Sequence, residues 1–196
     1  MIIVRMNQQL FTCAMSLCIA SISNADIYQW YDGDGDQSIW LSESTAVPYA
    51  DFSGQNLWWA DLDWANLHHS NFEETNLMFA HLTGSNFAHS FLTSANLFNA
   101  VLSEANLSFA NLSYADLSFA NVYGANLFSA NLTDANLTGI GNWDQAFWMG
   151  ATYNQNTIFP FGMDPEADCF GMIFVPAPSA LALLSIAAFT TRRRRS

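Results

Sequence analysis

Residues 50–139 divide without one insertion into eighteen blocks of five, as in ANLSF-ANLSY-ADLSF-ANVYG-ANLFS-ANLTD-ANLTG. The third position is always apolar: Leu in fourteen blocks, Phe at Phe52, Phe72 and Phe87, and Val at Val122. The first is Ala in thirteen, and the second is Asn or Asp in all but the blocks holding His81, Phe91 and Val101. A period of five suits neither a 3.6-residue helix nor a two-residue strand. It suits a chain that turns a corner in every block, with first and third residues pointing inward. Ala is small enough for a crowded inner wall and Leu fills the axis. Asn and Asp suit the corners, because they tolerate turn dihedrals and bond their own backbone.

This pattern resembles the pentapeptide repeat family. The resemblance implies an all-β chain wound as a right-handed quadrilateral β-helix, four blocks to the coil, so that residues twenty apart stack. Eighteen blocks make about four and a half coils, roughly 22 Å tall at ordinary strand spacing. Such a solenoid exposes unpaired backbone and Leu at both ends, so aromatic end caps are expected. Residues 26–49, with IYQWY and SIWL as short strands, form the N-terminal cap, and residues 140–174 the C-terminal one. The stretch NWDQAFWMGATYNQNTIFPFGMDP resembles the aromatic closing segment that often follows such repeats. It makes Phe147, Trp148, Tyr153, Phe159 and Phe161 core cover.

Both ends read as addresses. Arg5 precedes the apolar run from Leu10 to Ile22, which is too short to span a membrane comfortably. Ser23 and Ala25 then place small side chains before Asp26, and residues 1–25 read as a signal peptide. The sequence ahead of Cys13 and Cys18 does not support lipidation at either. Cleavage removes both and leaves Cys169 alone, so no internal disulfide is expected. At the other end, VPAPSALALLSIAAFTTRRRRS joins Val175, Pro176 and Pro178 to a short apolar run and to Arg192, Arg193, Arg194 and Arg195. Residues 175–196 resemble the PEP-CTERM sorting signal, with Ala177 where that family usually has Glu. The resemblance implies transient inner-membrane insertion, removal of the tail by a membrane-embedded exosortase, and release to the cell surface or extracellular matrix. An ordinary C-terminal membrane anchor is the alternative.

Charge agrees with this reading. There are seventeen Asp and Glu, no Lys, and only five Arg, at position 5 and in the terminal cluster. A body so acidic repels nucleic acid phosphates and anionic lipid.

Surface candidates follow from stacking every twentieth residue. One wall collects Trp58, Trp59, Met78, Phe79, Phe98 and Phe119, interrupted by Asn99, and is expected as an exposed apolar patch for a partner, self-association or matrix polysaccharide. Its alternative is an internal ladder that merely stabilises the coils. The wall opposite stacks His69, His89 and Phe109 beside His68; solvated imidazoles are the better account than a metal pair. In DGDGDQSIWLSE, Asp32, Asp34, Asp36 and Glu43 fall at positions one, three, five and twelve of a calcium-loop spacing. Gln37 sits where that loop needs Gly, so a hairpin turn is favoured and calcium is the alternative, with no other cofactor expected. No nucleophile, zinc-protease or phosphate-loop motif occurs, and Glu73 and Glu74 have no visible cleft, so no enzyme is expected. The leading expectation is an exported structural or interaction scaffold, attended by signal peptidase and exosortase. The alternative is a polysaccharide-binding module. A remote third follows from the family, some of whose members protect DNA gyrase by imitating DNA; export opposes it.

Overall fold

The structure, a computed structural model, describes residues 25–29, 40–46, 48–166 and 170–177; for the first two segments only the backbone is described. Residues 48–163 wind as a quadrilateral β-helix. Each side meets the next coil through one parallel β-bridge at the block's second residue, from Asp51↔Asn71 to Asp116↔Asn136, always twenty apart. Backbone bonds run the full length, such as Leu97 N–H to the Asp116 carbonyl (2.7 Å) and Asn121 N–H to the Ala100 carbonyl (3.0 Å). Every coil therefore satisfies its backbone through its neighbours, which a solenoid requires in place of a closed sheet.

The corner chemistry differs from the sequence expectation. Asn and Asp sit at the flat bridge, and the turn falls at positions four and five. The first residue of each block donates its N–H to the third residue of the block before, as Ala60 does to Leu57 (3.0 Å). The residue between them at position five has φ between 54° and 65° in every block, as the third residue of a type II turn does. Asn instead serves two neighbours. Its Oδ1 accepts the N–H two residues on, as Asn126 does from Phe128 (3.1 Å). Its Nδ2 donates to the Asn one coil earlier, as in Asn86→Asn66 (3.0 Å), Asn106→Asn86 (3.1 Å) and Asn126→Asn106 (3.3 Å).

The core is the axis. Every third-position Leu, Phe and Val is 2% exposed or less, and the first-position Ala residues from Ala60 onward are 3% exposed or less. Where Ser or Thr replaces that Ala, its hydroxyl is bonded: Ser85 to the Leu82 carbonyl (2.6 Å), Ser90 to Phe87 (2.6 Å) and Thr75 to Phe52 (2.8 Å).

The N-terminal segment forms a hairpin, β1 (Ala25–Gln29) antiparallel to β2 (Trp40–Ala46), and β1 pairs with β3 (Ala60–Asp61) at the edge of the first coil. The C-terminal segment is wound as well. Winding continues through it, with bridges Asn121↔Gly141, Asn126↔Phe147, Asn131↔Thr152 and Asn136↔Ile158 adding one on each wall. The offset grows from twenty to twenty-two, absorbed by a 3-10 turn (Trp143–Gln145) and by the bend at Gln155–Asn156. Ala146-Phe147-Trp148-Met149-Gly150 and Ala151-Thr152-Tyr153 keep the block pattern with larger inward residues; Trp148 is 1% and Tyr153 6% exposed. Phe159 packs against the core, whereas Phe147 and Phe161 are exposed and lie outside it. A further partial coil follows as β4 (Thr152–Tyr153) pairs in parallel with β5 (Ile173–Phe174).

Candidate functional site: ring columns on the outer walls

Fourth and fifth positions face outward, and fifth-position side chains lean toward the coil that follows. Five glycines lie beneath larger residues: Gly84 under Trp64, Gly124 under Glu104, Gly139 under Phe119, Gly150 under Ser129 and Gly171 under Met149. A Cβ on Gly84 would sit 2.3 Å from the Trp64 indole, and one on Gly139 2.7 Å from the Phe119 ring. Glycine here leaves room for a ring to lie flat against the backbone.

The sequence-predicted wall does come together, but as a self-packed column. Trp59 stacks on Phe79 (centroids 4.9 Å, 8° between planes). Phe79 meets Phe98 edge-on at 5.7 Å, and Phe98 meets Phe119 at 5.7 Å. Phe98 occupies position four where Asn99 fills position five, so the column steps sideways and is not broken. Trp58, Trp59, Met78, Phe79 and Phe98 are half-buried, and Phe119 is exposed. The rings of Trp59, Phe79, Phe98 and Phe119 thus contact one another along the column, with Phe119 exposed at its end.

The opposite wall carries a longer column. Tyr49, His69, His89 and Phe109 stack at 5.0, 4.8 and 4.8 Å with planes within 8°, and Phe128 and Phe147 continue it at 5.3 and 6.2 Å. Imidazole lone pairs lie in the ring plane, so those of parallel rings run side by side and do not converge on a metal. Among the described residues no group of three His, Cys, Asp or Glu side chains is arranged to hold one. His68 Nδ1 lies 2.9 Å from Asn66 Oδ1.

Outside both columns stands a largely open ring that the repeat pattern alone did not single out. Trp64 is 70% exposed, with one part of its indole on Gly84 and the remainder toward solvent. It stands beside Asp63, whose carboxylate accepts the Thr83 N–H, and in one corner column with Glu104. The signal was available: a Trp followed twenty residues later by a Gly. Tyr114 is also well exposed.

On the wall between the ring columns, Glu73 and Glu74 border a shallow depression of about 460 Å³ with Ser53, Gly54, Thr93 and Ser94. Asp51 accepts from the Ser53 hydroxyl (2.7 Å) and N–H (3.0 Å), which hold its carboxyl below the ordinary range. Of the candidate calcium residues, Glu43 lies in β2, while Asp32, Asp34 and Asp36 lie outside the described residues. So do residues 1–24 of the segment expected as a signal peptide, Cys169, Pro178 and the arginines Arg192–Arg195. Val175 and Pro176 are described, at the end of the wound body.

The family model for pentapeptide repeats, in eight copies, matches five overlapping stretches that span residues 49–140. Over these residues the chain belongs to the pentapeptide repeat family. A pentapeptide repeat protein from Nostoc, alr5209, is 30% identical over 56% of this chain and 84% of its own, with a TM-score of 0.36. Rfr23, a pentapeptide repeat protein from the cyanobacterium Cyanothece, is 25% identical over 58% of this chain and 91% of its own, with a TM-score of 0.35. QnrB1, a plasmid-mediated fluoroquinolone resistance protein, is 16% identical over 71% of this chain and 86% of its own, with a TM-score of 0.43. No curated protein matches the chain.

Proposed function

We propose that this pentapeptide repeat protein is exported, is trimmed at both ends, and serves as a non-enzymatic structural or interaction scaffold at the cell surface or in the extracellular polysaccharide matrix. The observation that carries the scaffold reading is the pair of ring columns on opposite walls. Rings that elsewhere would be offered to a ligand are packed on one another along the axis, which stiffens the coil stack. The export reading rests on the sequence at the two ends. Intact mass of the protein from each compartment of its native host tests it: a form that begins at Asp26, lacks the arginines and is found outside the cell is the expected result. A full-length cytoplasmic form overturns both addresses and sends the next test to DNA gyrase.

A second reading, polysaccharide binding, is favoured by the open indole of Trp64. It moves the platform from the self-packed Trp58–Phe119 wall to a ring whose face is free. In pull-downs on matrix polysaccharide, Trp64→Ala is expected to abolish retention and the Trp58→Ala, Trp59→Ala pair to leave it. Equal retention by all variants overturns this reading. Antiparallel strands on either side of residues 30–39 favour the hairpin account of the acidic loop. Calorimetry with calcium on the mature protein reads out the alternative, and absence of heat removes it.

A further inference from the structure

The corner column that holds Trp64 alternates large residues with glycines: Trp64, Gly84, Glu104 and Gly124 follow one another at twenty-residue intervals. The bridges Asp61↔His81, His81↔Val101 and Val101↔Asn121 hold these coils in step. The indole lies over Gly84, where a Cβ would stand 2.3 Å from Cε3 and 2.4 Å from Cζ3. Glu104 lies over Gly124 in the same manner, with its Cγ 3.5 Å from where a Cβ would be. Both side chains lean one coil onward and both are exposed, so an open ring and an open carboxylate stand two coils apart, roughly 9.5 Å at ordinary strand spacing. Polar side chains flank the column. Thr83 and Ser103 precede Gly84 and Glu104, and Asn66, Asn86 and Asn106 follow around the corner. One Nδ2 hydrogen of Asn86 and of Asn106 bonds the Asn before it, which leaves the second for a ligand oxygen.

Building on the polysaccharide reading of Trp64, we infer that this column takes a glycan bearing free amino groups, with one protonated amine over the open face of the indole and a second beside the Glu104 carboxylate. Trp is the side chain whose ring face attracts a cation most strongly. Two coils are about the span of two linked pyranose rings, so amines that far apart along one sugar chain meet the ring and the carboxylate together. The flanking hydroxyls and amides suit the oxygens of the same sugars. Charge decides the class. The carboxylates of this wall are Asp61, Asp63 and Glu104, and the described residues hold no Lys or Arg to receive a uronate or a sulfate.

Calorimetric titration of the full chain tests this in mildly acidic buffer, where sugar amines carry their protons. Three oligosaccharides of equal length are compared: β-linked glucosamine, its N-acetylated form and a polyuronate. The glucosamine oligomer is expected to bind tightest. Trp64→Ala is expected to abolish that binding and Trp64→Phe to keep part of it, while Glu104→Gln weakens it roughly threefold to fivefold. The unfolding midpoint of each variant confirms that the coils persist. Glucosamine binding left unchanged by either Trp64→Ala or Glu104→Gln is attraction to net charge alone and overturns the inference. Binding of the N-acetylated or uronate oligomer through Trp64, as tight as that of glucosamine, overturns the amine assignment while the polysaccharide reading stands. If none of the three binds, the inference falls, and the matrix pull-down with Trp64→Ala decides the polysaccharide reading by itself.

Discussion

Fourteen of the eighteen corner residues in the repeat carry a side chain at positive φ. Each bears roughly 1 kcal/mol or more of backbone strain relative to Gly. The solenoid sustains this because neighbouring coils over-determine the turn. Gly54 and Gly84 separate the backbone from the packing contribution: both have φ near 64°, but a Cβ on Gly54 meets nothing within 4 Å, whereas one on Gly84 strikes Trp64. Gly54→Ala is therefore expected to destabilise by about 1 kcal/mol, and Gly84→Ala by roughly 1–2 kcal/mol more, in denaturant unfolding. In a Trp64→Ala background the excess at Gly84 should vanish. Both residues were plain in the sequence, but their contact was not, because it depends on which way a corner residue leans.

At the scale of one element, the Asn ladder links coils sideways. Asn86 accepts from Ala88 N–H (3.2 Å) and Asn106 Nδ2 (3.1 Å) and donates to Asn66 (3.0 Å). Asn86→Ala removes all three and is expected to lower stability by roughly 1–3 kcal/mol, measured as a shift in the unfolding midpoint. The last coil supplies a pH effect. Burial raises the Tyr153 phenol, and the carboxylates of Glu166 and Asp164 raise it further. A raised folded value means that this contribution is whole below pH 10 and is lost as pH climbs through the folded value. Tyr153→Phe should therefore flatten the alkaline limb of the stability profile, while leaving neutral pH little changed. The inward positions of these coils were legible through residue 139, since the five-residue spacing holds there without an insertion and the third position is always apolar. Beyond it, Trp148 and Tyr153 hold the same positions, but two extra residues and the loss of Leu hid the continuing winding. The ring walls were legible as membership and not as orientation: a twenty-residue repeat tells which side chains share a column, and only packing tells whether faces or edges are left open.

Across the whole molecule, one sign of charge prevails. The formal net charge is −12, and the five arginines lie in the two end segments. After both trims the body would keep every carboxylate without a Lys or Arg to oppose it. Self-repulsion in such a body is screened by salt, so the unfolding midpoint is expected to rise steadily from about 0.01 M to about 1 M ionic strength as the screening length shrinks from about 30 Å to about 3 Å. A flat or falling midpoint would show that the carboxylates lie too far apart to matter.

The last partial coil, which β5 joins to β4, also determines how the molecule would bear a load. If the proposed tail anchored the protein in a membrane, any pull on the body would enter through residues 170–177, whose bonds to the coil before them would break one after another. Peeling of this kind yields at low force. Each coil that detaches would pay out twenty residues, roughly 70 Å of slack. An anchored copy would then act as an extensible tether, and a released one as a short rigid rod.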